Sequence, residues 1–135
     1  MSKDGIEMQF ATNHIGHFLF TNLILSKLKA SKSARVINVT SNGHRFSPVR
    51  FDDLKFEGHK LPADQQPGLQ KMIDRGLSPK WKGEYEPFVA YGQSKTANIL
   101  FSLYLRDKLA SEGITSFSVH PGSKYHPHPQ VKYLY

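Results

Sequence analysis

Two short runs rich in β-branched residues, separated by a long helical pattern, limit the possible folds of this chain more than any other feature. The runs are "RVINVTS" (35–41) and "ITSFSVH" (114–120). Each has the nearly continuous apolar character that is typical of strands buried in parallel sheets. Neighbouring parallel strands need a crossover of a dozen or more residues, usually a helix. The sequence therefore predicts a strand–helix–strand unit and an α/β fold.

The helical patterns on either side of the first run predict two long helices. The first covers residues 6–29, where apolar residues recur at three- and four-residue steps. The second covers residues 88–113 and ends at Gly113, which is a good C-terminal stop. Two helices and two strands cannot cover both faces of a parallel sheet. We therefore expect the chain to be the central-to-C-terminal part of a larger doubly wound sheet.

Between and beyond these elements the regular pattern is lost. Glycine and proline recur throughout residues 42–87, which predicts an irregular insertion with at most a short helix in "PADQQPGLQKMIDRG" (62–76). Long irregular connections of this kind are usually functional or disordered. The tail, residues 123–135, has no clear periodicity, and we expect it to be poorly ordered. The expected domain therefore spans residues 1–122.

Composition argues against several classes of protein. The net charge is +7, but the basic residues are scattered and do not alternate with aromatic residues, so we expect no nucleic-acid partner. No stretch approaches the roughly 18 apolar residues of a membrane span, and none is expected. The absence of cysteine suits a reducing compartment and favours the cytoplasm. A soluble, globular α/β protein is the expected class.

Tyr91 and Lys95 are the first candidate functional residues. They stand four positions apart on the predicted second helix, so their side chains share one face. The pKa of a phenol is about 10, and a neighbouring ammonium group lowers the pKa of the phenol. A phenol tuned in this way can act as a general acid or base. The alternative is that two surface residues of one helix have no functional relation.

Ser41 and Asn13 add to this pair. Ser41 ends the first predicted strand, and the active crevice of an open α/β sheet lies beyond the carboxyl ends of its strands. A hydroxyl there can polarise a carbonyl oxygen, although it can equally be an ordinary polar strand end. Asn13 lies within the first predicted helix, where asparagine is not favoured. It could instead face solvent or join two helices by a hydrogen bond.

Taken together, the sequence resembles the short-chain dehydrogenase/reductase family over roughly residues 5–122. The wording is most similar to the branch of retinol dehydrogenase-like and WW-domain oxidoreductase-like proteins. Four matching pieces occur in the family's order: "NHIGHF" with Asn13, "RVINVTS" with Ser41, "YGQSK" with Tyr91 and Lys95, and "VHPG" with Pro121 and Gly122. Ordered pieces of this kind are far more specific than a tyrosine and a lysine alone.

The resemblance implies a partial Rossmann-like fold and an NAD(P)-dependent interconversion of an alcohol and a carbonyl. It implies that Tyr91 exchanges a proton with the substrate oxygen and that Ser41 holds this oxygen. It also implies that Lys95 lowers the tyrosine pKa and binds the nicotinamide ribose, while Asn13 anchors a water in a proton relay. Pro121 and Gly122 match a turn beside the nicotinamide. The implied partners are a lipophilic small-molecule substrate and a second copy bound through helices 6–29 and 88–113.

Three departures from the family pattern support a second hypothesis. No T-G-x-x-x-G-x-G turn, which holds the cofactor pyrophosphate in the family, occurs in these residues, and the N-N-A-G segment is missing. The tail after Gly122 does not match the family either. The alternative function is therefore a truncated, catalytically inactive chain that acts at most as an interaction module. The preference between NAD and NADP and the identity of the substrate stay open.

Histidines offer one further candidate, a metal site. His14 and His17 stand three positions apart, and His126 and His128 could form a chelating pair. Zinc sites in proteins usually have three or four protein ligands. No further ligand stands at a suitable spacing, so we expect structural or solvent-exposed roles and no metal site.

Overall fold

The computed structural model describes residues 1–31, 33–59, 62–65 and 85–122, and its elements follow the predicted order. The α-helices and strands are α1 (Met8–Phe10), α2 (Gly16–Leu23), α3 (Leu25–Ala30), β1 (Arg35–Val39), α4 (Pro87–Leu109) and β2 (Thr115–Val119). Short 3₁₀ turns occupy Asn42–Phe46, Phe51–Asp53, Ala63–Gln65 and Ala110–Glu112. The predicted tail and most of the helix proposed within 62–76 lie outside the described residues.

Strands β1 and β2 pair in parallel, which confirms the predicted α/β class. Ile37 lies opposite Phe117 in the register of the two strands. In the described residues the helices cover only one face of this sheet, because Ile37 and Val39 on the other face are 59% and 56% exposed. The expectation of fully buried strands is therefore wrong for the described part of the chain. Parallel sheets normally have both faces covered.

Helix α4 is the element that holds the sheet in place. Pro87 occupies its first turn, and the Glu86 carboxylate accepts a hydrogen bond from Val89 N, so the helix begins as its sequence predicts. Farther along, Phe101, Leu105 and Leu109 pack against Ala34 and Ile114 beside the two strands. The helix continues into a 3₁₀ turn that ends at Gly113, whose φ of 75° confirms the predicted stop.

The first predicted helix is not continuous. A π-helical turn, Ala11–Ile15, separates α1 from α2, and Ile24 leaves helical geometry between α2 and α3. Before this second break, Thr21 Oγ1 and Asn22 Nδ2 donate hydrogen bonds to carbonyls one turn earlier, an arrangement that tends to bend helices. The prediction of a single continuous helix is therefore wrong.

The wide apolar stripe of the first helical segment is only partly buried. Phe18, Leu19, Phe20 and Leu23 are all exposed, so this part of the apolar surface of α2 is not covered by the described residues. Among the helices in the described part of the chain, none is both long enough and apolar enough to cross a membrane.

Candidate active site

The carboxyl ends of β1 and β2 meet at one edge of the sheet, and α4 lies across this edge. Thr40 N donates to Val119 O over 2.9 Å, which keeps the strands paired up to their ends. Thr40 Oγ1 donates to the carbonyl of Lys95 over 2.9 Å, and Lys95 Nζ lies 3.4 Å from Val39 O. These contacts place the Lys95 side chain beside the end of β1, where Ser41 follows.

Tyr91 and Lys95 are close in space as well as in sequence. Lys95 Nζ lies 5.4 Å from the centre of the Tyr91 ring. The Tyr91 side chain is partly buried, yet its hydroxyl stays accessible and has no hydrogen-bond partner among the described residues. A phenol with an open hydroxyl beside an ammonium group is able to exchange a proton with a bound molecule.

Lys95 is buried more deeply than lysines usually are. Only 9% of the residue is exposed, and burial lowers the pKa of its ammonium group. Within the described residues, Nζ has one hydrogen bond, to the Val39 carbonyl. An ammonium group has three donors. The remaining donors of Lys95 can therefore serve a bound molecule at this edge of the sheet.

Ser41 lies next to Tyr91, and Gly43 is the residue that makes this possible. Ser41 Oγ accepts a hydrogen bond from Gly43 N over 3.1 Å. A Cβ atom on Gly43 would lie 2.7 Å from Cε1 of Tyr91 and 3.5 Å from Ser41 Oγ. The glycine therefore sits between the serine hydroxyl and the phenol ring, and only a hydrogen atom fits there. The structure brings these two predicted site residues together.

Sequence reasoning missed Gly43, Gly92 and Gln93. A Cβ atom on Gly92 would lie 2.7 Å from the carbonyl oxygen of Gly43, so two glycines let α4 approach the turn after β1. Gln93 is fully buried; its Oε1 accepts from Arg50 N and its Nε2 donates to Leu54 O. The available signal was the pair "GQ" between Tyr91 and Lys95, a small residue and an amide.

Asn13 reaches the site through a neighbour and not through Lys95 itself. Its Nδ2 donates to Ser94 Oγ over 3.1 Å, and this hydroxyl donates to the carbonyl of Tyr91 over 2.7 Å. The Asn13 carbonyl accepts from His17 Nδ1 over 2.8 Å. Asn13 also lies within the π-helical turn, a feature that is frequent at functional sites. It therefore fastens the first helical segment to the turn of α4 that carries Tyr91.

Pro121 and Gly122 follow β2 at the same edge but are exposed. Gly122 adopts a φ of 89°, a conformation that favours glycine. No hydrogen bond in the described part of the chain joins either residue to Tyr91 or Lys95. The preceding residue, His120, has a buried Nδ1 atom without a hydrogen-bond partner among the described residues, and sequence reasoning missed it.

The histidines considered as metal ligands have separate partners. His14 Nδ1 is hydrogen-bonded to Asn98 Oδ1 over 3.1 Å, whereas His17 Nδ1 is bonded to the Asn13 carbonyl. No cluster of three or more potential metal ligands occurs among the residues that the structure describes. His126 and His128 lie outside them.

Comparison with curated proteins identifies the relatives of this chain as oxidoreductases. It is 40% identical over 132 residues to oxidoreductase fscI of Fusarium equiseti, which covers 94% of this chain and 50% of that protein. It is 39% identical over 121 residues to human retinol dehydrogenase 13, covering 90% of this chain and 29% of that protein. The chain thus spans half or less of the curated relatives that it matches. No protein-family model matches it.

A solved structure shows the same fold. The crystal structure of an uncharacterized protein from Mycobacterium paratuberculosis superimposes with a TM-score of 0.64 at 30% identity, covering 93% of this chain and 37% of that one. The α/β unit is therefore a partial Rossmann-like fold. The resemblance to the short-chain dehydrogenase/reductase family is confirmed: the curated relatives belong to that family, and this chain corresponds to part of them.

Replacing Gly43 with alanine should displace the Tyr91 ring, because the new Cβ would lie 2.7 Å from ring carbon Cε1. We expect a loss of about 1–3 kcal/mol in the free energy of unfolding, as for other overpacked sites, and a shift of the Tyr91 ring signals in NMR spectra. Gly16→Ala is the control, since its nearest contact would be an ordinary 3.6 Å. In a Tyr91→Ser background the cost of Gly43→Ala should largely vanish; an unchanged cost would refute the contact.

Stability should depend on the titration of Lys95. Burial lowers the pKa of Lys95 below its ordinary value of 10.5, so the folded chain releases this proton at a lower pH than the unfolded chain. The free energy of unfolding should therefore rise with pH between the lowered pKa and 10.5. Lys95→Met should remove this rise in urea titrations, whereas Lys108→Met, at an exposed position of α4, should keep it. Identical pH profiles for the two variants would contradict the assignment.

Proposed function

We propose that this chain carries the proton-transfer part of an NAD(P)-dependent oxidoreductase that interconverts an alcohol and a carbonyl. The observation that carries this proposal is the accessible Tyr91 hydroxyl beside the buried ammonium of Lys95 and close to Ser41. The relatives support it, because they are oxidoreductases that are 37–40% identical to this chain over the aligned residues.

In the reduction direction, the Tyr91 hydroxyl donates its proton to the substrate oxygen as the carbonyl becomes an alcohol. In oxidation the phenolate takes this proton back. Ser41 donates a hydrogen bond to the same oxygen, and the positive charge of Lys95 favours the phenolate. Asn13 acts as a positioning residue, since it fixes the turn of α4 through Ser94. In the structure His17 donates a hydrogen bond to the Asn13 carbonyl. A water molecule that takes the place of His17 on this carbonyl would connect the site to solvent.

The residues present fit one end of a nicotinamide cofactor. The remaining donors of Lys95 would suit the hydroxyls of a ribose, and Pro121 and Gly122, by the resemblance to the family, would lie beside the nicotinamide ring. The orphaned buried Nδ1 of His120, next to this turn, is a further polar group that a bound cofactor could satisfy. When bound, a nicotinamide supplies the hydride for reduction and accepts it in oxidation. The sequence offers no glycine-rich turn for the pyrophosphate.

The proposed substrate class is a lipophilic alcohol, aldehyde or ketone. Human retinol dehydrogenase 13 and mouse retinol dehydrogenase 12 are among the relatives, and retinol is a lipophilic alcohol. The proposed site for the substrate oxygen lies near Gly43, which has the Tyr91 ring on one side and the Ser41 hydroxyl on the other.

A second candidate function is an inactive interaction module. It is favoured by the exposed apolar residues of two neighbouring helices, Phe18, Leu19, Phe20 and Leu23 on α2 and Leu100, Leu103 and Tyr104 on α4. Apolar clusters of this kind mark protein interaction sites. The proposed partner is a second copy of the chain bound through the segments 6–29 and 88–113.

A chimera tests the enzymatic proposal directly. Residues 1–122 would replace the matching segment of oxidoreductase fscI, which supplies the remaining part of such a fold. The chimera should oxidise or reduce the substrate of that enzyme, and Tyr91→Phe should lower kcat by about 10²–10⁴-fold, the usual contribution of general acid–base catalysis. Tyr104→Phe, an exposed tyrosine on the same helix, should leave kcat unchanged. Unaltered turnover in Tyr91→Phe, or a folded but inactive chimera, would refute the proposal.

Cofactor affinity separates the two candidate functions for the isolated chain. Because the sequence contains no glycine-rich turn for the pyrophosphate, we expect no saturable binding of NADH or NADPH in the micromolar range. Calorimetric titration of the purified 135-residue chain, with the fscI chimera as a positive control, measures this. Saturable micromolar binding by the chain alone would contradict the expectation and favour an enzyme that functions by itself.

A further inference from the structure

A cavity lined by aromatic rings lies between the first helical segment and α4. Its volume is about 300 Å³, at the small end of the range for ligand sites. The lining rings are those of Phe10, His14, Phe18, Phe51, Phe101 and Tyr104. Neither Tyr91 nor Ser41 lines it, so this cavity is distinct from the proposed active site. None of the described residues that line it is an aspartate, glutamate, lysine or arginine, which favours a neutral occupant.

The rings around His14 form a continuous aromatic wall. The His14 ring centre lies 5.1 Å from that of Phe10 and 6.0 Å from that of Phe101, which it meets edge to face. Phe18 and Phe101 are 5.1 Å apart. Aromatic pairs at such distances favour flat, apolar partners that can extend the same stacking. The wall therefore selects for a ligand with a planar hydrocarbon part.

The hydrogen bonds of Asn98 fix the protonation of His14. The Val39 carbonyl can only accept, so the Asn98 group 3.1 Å away from it is the amide nitrogen. Asn98 Oδ1 therefore faces His14, and the His14 Nδ1 atom at 3.1 Å must carry a proton. Burial lowers the pKa of His14, the Asn98 hydrogen bond opposes this, and nearby His17 lowers it further. The ring is thus neutral near pH 7, with Nε2 as an acceptor.

This acceptor is available to a ligand. Among the described residues, no group hydrogen-bonds His14 Nε2, and the atom is not sealed from solvent. We propose that the cavity binds a flat, lipophilic molecule with one hydroxyl group, which donates its hydrogen bond to His14 Nε2 while its hydrocarbon part contacts the rings of Phe10, Phe18 and Phe101. The site does not depend on the proposed enzymatic function, because none of its contacts involves Tyr91 or a cofactor.

The same hydrogen bonds connect the cavity to the proposed active site. His14 donates to Asn98, Asn98 donates to the Val39 carbonyl, and Lys95 Nζ lies 3.4 Å from this carbonyl as well. The side chains of Asn98 and Lys95 therefore share the Val39 carbonyl as an acceptor. Asn98 belongs to the cavity side of this pair, and Lys95 belongs to the proposed active site.

Two matched probes test the site on the full 135-residue chain. 1-Naphthol carries the hydroxyl donor, whereas 1-methoxynaphthalene has the same rings without it. Calorimetry should show saturable binding of 1-naphthol, tighter than that of 1-methoxynaphthalene by about five- to tenfold, as expected for one hydrogen bond. In nitrogen-15 NMR spectra, the Nε2 signal of His14 should move with 1-naphthol and much less with its methyl ether. Equal affinities, or no saturable binding of either probe, would overturn the proposal.

Variants separate the hydrogen bond from the cavity itself. His14→Phe keeps an aromatic wall and should reduce 1-naphthol binding to the level of its methyl ether, while His59→Phe, at an exposed position outside the cavity, should change neither. Leu100→Trp should weaken both probes by filling the rim, where Leu100 is 44% exposed and tolerates change. If His14→Phe does not fold, the two-probe NMR comparison on the unaltered chain still decides. If the chain sediments as a dimer and this dimer does not bind 1-naphthol, the cavity is the contact surface for a second copy and the proposal is refuted.

Discussion

The carbonyl of Val39, the last residue of β1, is the acceptor on which the arrangement of this chain depends. It receives Asn98 Nδ2 at 3.1 Å and lies 3.4 Å from Lys95 Nζ, while Thr40 Oγ1 returns a hydrogen bond to the backbone of α4. These contacts fix both the height and the rotation of α4 on the strand. Because Tyr91 is one turn before Lys95 on this helix, its position relative to Ser41 follows from the same contacts.

Most of the fold is predictable because its pattern is local. The β-branched runs and the helix stop at Gly113 act within a few residues, and together with the apolar spacing they located β1, β2 and α4 to within a few positions. The π-helical turn and the break at Ile24 were not predictable, since apolar spacing does not show where side-chain hydrogen bonds compete with the backbone. Whether a sheet face is covered or exposed depends on which other elements pack against it, and the periodicity of the strands themselves does not reveal this.

The site divides in the same way. Tyr91, Lys95 and Ser41 were found because each carries chemistry and stands at a strand end or at a helical spacing that indicates it. Gly43 and Gln93 carry no chemistry of their own, and their roles appear only when α4 meets the turn after β1. The roles of the first three stay proposals, whereas their proximity is a property of the structure. A glycine that lets a helix approach a turn is hard to predict from the sequence, because its role is only to lack the side chain that would clash there.

The contacts described above that orient the proposed proton-transfer residues are all made by residues of this chain. They come from the Val39 carbonyl and from Thr40, Gly43, Asn13 and Ser94, and none involves a side chain on the exposed face of the sheet. That face, with Ile37 and Phe117, has apolar side chains and no polar side chain of the site. Covering it would stabilise the sheet by burying apolar area without changing the distances between Tyr91, Lys95 and Ser41. The geometry for handling a proton and the surface on which the rest of such a fold would pack are therefore physically separate.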